Sequence, residues 1–103
     1  MTRIDKRFAA LKKEGKKGFV AYVTAGDPSL DDTMDIVLRL VDVGVDVVEL
    51  GIPFSDPLAD GRVNQESANR ALDSGTTPVG VLDMIARLRT QTDIPIMCYT
   101  YLN

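Results

Sequence analysis

Two short runs of strand-forming residues, Phe19-Val20-Ala21-Tyr22-Val23-Thr24 and Asp46-Val47-Val48-Glu49-Leu50, flank a segment that starts and stops like a helix. Gly26, Asp27 and Pro28 close the first run. Ser29 then stands at an N-cap position with Asp31 and Asp32 in the first turn, and Leu30, Met34, Val37, Leu38 and Val41 recur as one helical stripe before Gly44. Strand, helix and strand within about thirty residues form a right-handed crossover, which pairs the strands in parallel. The chain is therefore committed to an α/β architecture, with helices covering a parallel sheet.

The flanking segments extend the same alternation. Ile4, Phe8 and Leu11 repeat at helical spacing ahead of Gly15, which predicts an N-terminal docking helix. After the second strand, Gly51 to Gly61 has no helical period, and it is long for a loop of this kind, which usually spans about 2–6 residues. Residues 62–73 then read as a short helix with Ala68, Ala71 and Leu72 inside. Thr77-Pro78 opens another helix that buries Val81, Leu82, Ile85 and Leu88, and Ile94 to Thr100 is the third strand.

Charge and composition narrow the chemistry. Residues 1–17 carry seven basic and two acidic side chains, a net +5, so against a total of −3 the remainder carries −8. An acidic body opposes a nucleic-acid surface, and the basic start fits the solvated face of the first helix better than an RNA-binding arm. The chain has no histidine and one cysteine, which excludes a Ser-His or Cys-His pair, an intrachain disulfide and a Cys-x-x-Cys motif. Acid/base work falls on carboxylates. Cys98 reads as a core residue in a protein suited to a reducing, cytoplasmic setting. The longest apolar run, Phe19 to Val23, is far short of the roughly 20 residues of a membrane span.

Strand parity assigns the faces. Val48 and Leu50 belong to the helix-covered side of strand two, which leaves Val47 and Glu49 on the other. By the same test Tyr22 and Thr24 lie opposite Phe19, Ala21 and Val23, and Tyr99 and Tyr101 lie opposite Ile96 and Cys98. Tyr22, Glu49, Tyr99 and Tyr101 thus share one surface. Glu49 is one residue from the carboxyl end of its strand, where parallel α/β proteins bind ligands. Its alternative is a carboxylate paired with a local donor. Asp60, just before a glycine and a helix, is either a second site carboxylate or an N-cap, and Asp56 is a site residue or a turn former. The spacing of Glu49, Asp56 and Asp60 also allows a magnesium site, on weak grounds, and no metal is assigned.

At Val48 to Gly61 the chain reads V-E-L-G-I-P-F-S-D-P-L-A-D-G, which closely resembles the signature of the tryptophan synthase α subunit family; F-V-A-Y-V-T-A-G-D-P at 19–28 and I-P-I-M-C-Y-T-Y-L-N at 94–103 are similar to its first and third strands. The resemblance implies a (β/α)8 barrel, of which residues 1–103 form one partial domain: parallel strands one to three with helices on one face, not closed by this chain alone. It implies a carbon-carbon lyase of tryptophan biosynthesis that cleaves indole-3-glycerol phosphate to indole and glyceraldehyde 3-phosphate without a cofactor. Glu49 matches the family's general acid/base and Asp60 the carboxylate that accepts the indole N–H. Tyr22, Tyr99 and Tyr101 match positions lining the indole pocket. The loop around Pro53, Asp56 and Pro57 resembles the surface that meets the β subunit.

Two features depart from that pattern. Arg62 and Asn64 replace the family's usual Pro and Ile after Asp60-Gly61, and no glycine-rich phosphate loop is present. A barrel of this kind needs eight strands and about 250 residues. The chain is therefore expected to carry both carboxylates yet turn over poorly alone. The competing expectation is a module that self-associates through open sheet edges, with Tyr22, Val47, Tyr99 and Tyr101 facing water.

Overall fold

The computed structural model describes residues 1–55 and 59–101. Its elements run α1 (Arg3–Glu14), β1 (Val20–Thr24), α2 (Leu30–Asp42), β2 (Val47–Gly51), α3 (Arg62–Asp73), α4 (Pro78–Leu88) and β3 (Ile96–Tyr99). The three strands pair in parallel in the order β1-β2-β3, so among the described residues the sheet is open at β1 and β3. Register aligns Tyr22, Glu49 and Met97 in one row across the sheet, and Thr24, Gly51 and Tyr99 in the next row of the same face.

Local chemistry sets the helix ends. Ser29 caps α2 by accepting from the Asp32 N–H, and Thr77 caps α4 from Gly80 with Pro78 in the first turn. Thr2 and Asp5 form a reciprocal capping box on α1. The core lies between the sheet and α2 with α4, where Val37, Val48, Leu50, Val81, Met84 and Leu88 are fully buried and Ala21, Val23 and Ile96 pack against them. The parity reading thus holds for Ala21 and Val23 of β1, Val48 and Leu50 of β2 and Ile96 of β3.

Four expectations change. Leu82 is 57% exposed, because the buried stripe of α4 is Val81, Met84 and Leu88, and residue 82 lies about 100° around the helix from 81. Phe19 precedes β1 and stays exposed instead of joining the helix side. Cys98 is exposed: it sits on the outer strand β3, next to Leu50 in register, but with no described element packed over it. Val47, in contrast, is buried on the helix-free face. It stands at the amino-terminal end of the central strand beside Asp46, to which α1 is tied: Asp46 accepts from the Phe19 N–H at 2.7 Å and from Arg7 Nε at 2.7 Å and Nη2. Leu11 and Phe8 of α1 crowd Gly18 at this same end. The first helix is therefore held at the amino-terminal end of the sheet through buried Leu11 and the Arg7–Asp46 pair, while Phe8 of the expected apolar stripe stays 45% exposed.

Candidate active site

The carboxyl ends of β1, β2 and β3 carry Thr24, Glu49 with Gly51, and Tyr99. Tyr22 is the hub of this surface. It neighbours Glu49 across the β1–β2 pairing and meets Tyr99 edge to face, with ring centroids 6.1 Å apart. Its hydroxyl lies over Gly51, where a Cβ would come within 2.0 Å of Oη. A residue with any side chain at 51 would displace the phenol.

Burial pushes the Tyr22 phenol above the ordinary tyrosine value; the Thr24 hydroxyl pulls it back, and the charges of Asp60 and Glu49, with Tyr99, push it up again. The N-cap of α3 is Gly61, with no side chain bonded to the helix N–H groups. Asp60 is thus not spent on capping; its backbone carbonyl accepts from Gln65 Nε2 at 2.9 Å. Neither carboxylate side chain enters a described hydrogen bond or ion pair, and the alternative of Glu49 as a locally paired residue loses its support. Among the described residues no cluster of three His, Cys, Asp or Glu side chains could hold a metal ion.

Tyr101 has a different neighbourhood from the other two tyrosines. Its ring stacks on Phe54 with centroids 5.0 Å apart, and its hydroxyl accepts from the Ala59 N–H at 3.1 Å. It grips the long loop on the residue before Asp60. Pro53 is buried, while Asp56 and Pro57 lie outside the described residues. Arg62 is turned outward and pairs with Glu66 at 2.9 Å along α3, and Asn64 is exposed, so the departures at both positions fall on the solvent side of the helix.

Sequence reasoning passed over several residues of this region. Gly51 sits inside the signature, but its need for a bare Cα comes from a tyrosine on another strand. Thr24 and Ser67, both buried, share a hydroxyl contact of 2.7 Å. Arg70 forks onto Asp27 with two bonds of 2.9 Å. The signal available was the 67, 70, 74 spacing of small or hydrogen-bonding residues beside Ala68 and Ala71, which marks one face of α3.

A parallel sheet with helices on one face, one carboxylate near the carboxyl end of its central strand and another at the end of the loop that follows defines a piece of the β/α-barrel class. Comparison with known proteins agrees. Residues 8–103 match the family model described as tryptophan synthase alpha chain. The chain is 52% identical over all 103 residues to tryptophan synthase alpha chains of Caldanaerobacter subterraneus subsp. tengcongensis and of Geobacter sp. strain M21, covering 39% of each. It superposes on the crystal structure of tryptophan synthase subunit alpha from Legionella pneumophila str. Paris with a TM-score of 0.96 and 42% identity, over the whole of this chain and 40% of that one. The chain belongs to the tryptophan synthase alpha chain family. It spans about two-fifths of the length of these relatives, and its three strands do not close a barrel.

Proposed function

We propose that this chain supplies the two catalytic carboxylates of a carbon-carbon lyase that cleaves indole-3-glycerol phosphate to indole and glyceraldehyde 3-phosphate. The observation that carries the reading is the placement of Glu49 beside Tyr22 near the carboxyl end of β2, with Asp60 at the end of the loop that follows, in a chain of the tryptophan synthase alpha chain family. Glu49 gives a proton to C3 of the indole ring and takes one from the glycerol hydroxyl next to the scissile bond. The alkoxide electrons form the aldehyde, the C3–carbon bond breaks, and its pair restores the aromatic ring. Asp60 accepts the indole N–H and offsets the positive charge that the ring carries after protonation. Tyr22 and Tyr99, set edge to face, offer the flat bicycle one wall, and Tyr101 holds the loop on its other side.

The phosphate end of the substrate would be bound by later barrel loops, so efficient turnover belongs to the closed barrel, a single domain to which residues 1–103 contribute. A cytoplasmic setting accords with the chemistry, and no described helix is long and apolar enough to cross a membrane. The loop from Pro53 through Asp56 and Pro57 is the proposed contact with a tryptophan synthase β subunit. Since Pro53 is buried, its part is to shape that loop from within.

The test joins these 103 residues in frame to the remaining length of the Caldanaerobacter relative and assays indole release. The graft is expected to be active, and Glu49→Gln or Asp60→Asn to lower kcat by about 100-fold or more. Full activity in both variants would overturn the reading.

A second reading concerns the chain by itself. Val20, Tyr22, Met97 and Tyr99 are each about two-fifths exposed on the helix-free face, between two open strand edges. We propose that free copies self-associate through this face. Sedimentation velocity at micromolar concentration should show dimers or larger species; a monodisperse monomer refutes it.

A further inference from the structure

The position of Glu49 is fixed by strand pairing on both sides, but Asp60 hangs between a long loop and the start of α3. Whatever holds α3 therefore sets where Asp60 stands. An apolar seam contributes little: the buried residues of α3 are Ser67, Ala68 and Ala71, which offer two methyl groups. The helix is fastened instead by polar contacts to β1 and the turn after it. Ser67 Oγ lies 2.7 Å from Thr24 Oγ1, and both residues are more than nine-tenths buried. One turn on, Arg70 donates through Nε and Nη2 to the two carboxylate oxygens of Asp27, each at 2.9 Å. Residues 67 and 70 fall on one side of the helix, and both partners belong to the stretch 24–27.

The Ser67 hydroxyl also reaches its own helix, with Oγ 2.9 Å from the Asn64 carbonyl. The two contacts link the buried Thr24 hydroxyl through Ser67 to a backbone carbonyl in the first turn of α3. Removing the Ser67 hydroxyl leaves the buried Thr24 hydroxyl of β1 without this partner and cuts its tie to α3. Gly26 shows how closely the two segments dock: its φ is 94°, and a Cβ there would meet Thr76 Oγ1, in the turn after α3, at 1.9 Å.

We infer that Ser67 and Arg70 are positioning residues, clasping α3 to Thr24 and Asp27 of the β1 segment so that Asp60 is held in register with Glu49. The inference rests on the lyase reading above for its catalytic consequence, but its structural part stands without it. Misplacing a catalytic group by about 1 Å costs on the order of 100-fold. In the barrel graft, Ser67→Ala and Arg70→Ala should each lower kcat by about 10-fold or more, with KM within about twofold of the parent. Ser67→Thr, which keeps the hydroxyl, should restore most of the rate.

The discriminating arm repeats both alanine substitutions in an Asp60→Asn background, where a residue acting through Asp60 has nothing left to position and the further loss should be under about twofold. Amide hydrogen exchange is read in parallel. The double variant Ser67→Ala/Arg70→Ala should speed exchange over residues 62–66 by about 10-fold while leaving 47–51 unchanged. Undiminished kcat in the alanine variants, losses that persist at full size in the Asp60→Asn background, or unchanged exchange at 62–66 overturns the clasp. If the parent graft forms no indole, the lyase reading fails, and the exchange result alone decides whether the clasp holds α3.

Discussion

Removing the carboxylate of Asp46 should release the first helix from the floor of the sheet. Asp46 is 5% exposed and accepts the Phe19 N–H on one oxygen and the Arg7 guanidinium on the other. A hydrogen bond to a charged group contributes about 1.5–3 kcal/mol. The Arg7 side chain is 44% exposed, so its share falls toward the lower figure through solvent screening. Asp46→Ala should therefore cost about 3 kcal/mol, and Arg7→Ala about 1 kcal/mol, since Asp46 would keep its bond from Phe19. In the barrel graft the assay is the urea midpoint at constant m, with exchange of the Phe19 amide as the local reporter. The Phe19 N–H and then Arg7 hold this carboxyl below the usual aspartate value. The unfolded state consequently binds more protons between the folded pKa and about 4, the ordinary aspartate value, so the stabilisation is complete above about pH 4 and disappears as pH falls through the folded pKa. Asp46→Asn should flatten that acid limb. A cost under about 0.5 kcal/mol for Asp46→Ala, or an acid limb as steep in Asp46→Asn as in the parent, would refute the argument.

Three further outcomes follow from packing. Gly51→Ala places a methyl 2.0 Å from Tyr22 Oη, so the phenol must move; kcat of the graft should drop by about 10-fold, and Tyr22→Phe in the same background should recover part of it. Met84→Ala empties a fully buried site between α4 and the sheet and should cost about 2–5 kcal/mol by denaturant titration. Cys98 is exposed on β3, and one equivalent of a disulfide thiol reagent should label the native free chain within minutes, where a core thiol would wait for unfolding.

The alternation of strand and helix, the caps at Ser29 and Thr77, and the core positions Ala21, Val23, Val48, Leu50 and Ile96 of the strands were legible in the residues, because each depends on neighbours within a few positions. The signature also pointed to Glu49 and Asp60 and to the family. Contacts between segments distant in sequence were not legible. Asp60 looked equally like an N-cap until Gly61 was seen to fill that position without side-chain help. Val47 and Cys98 exchanged their expected environments because burial depends on what packs over a strand end or edge, and parity says only which way a side chain points. Tyr101 shares its parity with Tyr99, but the loop brings Phe54 and Ala59 to it. The sequence by itself determined which elements form and which side chains they carry; the tertiary structure alone decided that Tyr22 needs Gly51 bare and that α3 is fastened by Thr24 and Asp27. The physical reason is that periodicity and capping are local, whereas hydrogen bonds and close packing between segments exist only once the chain has brought them together.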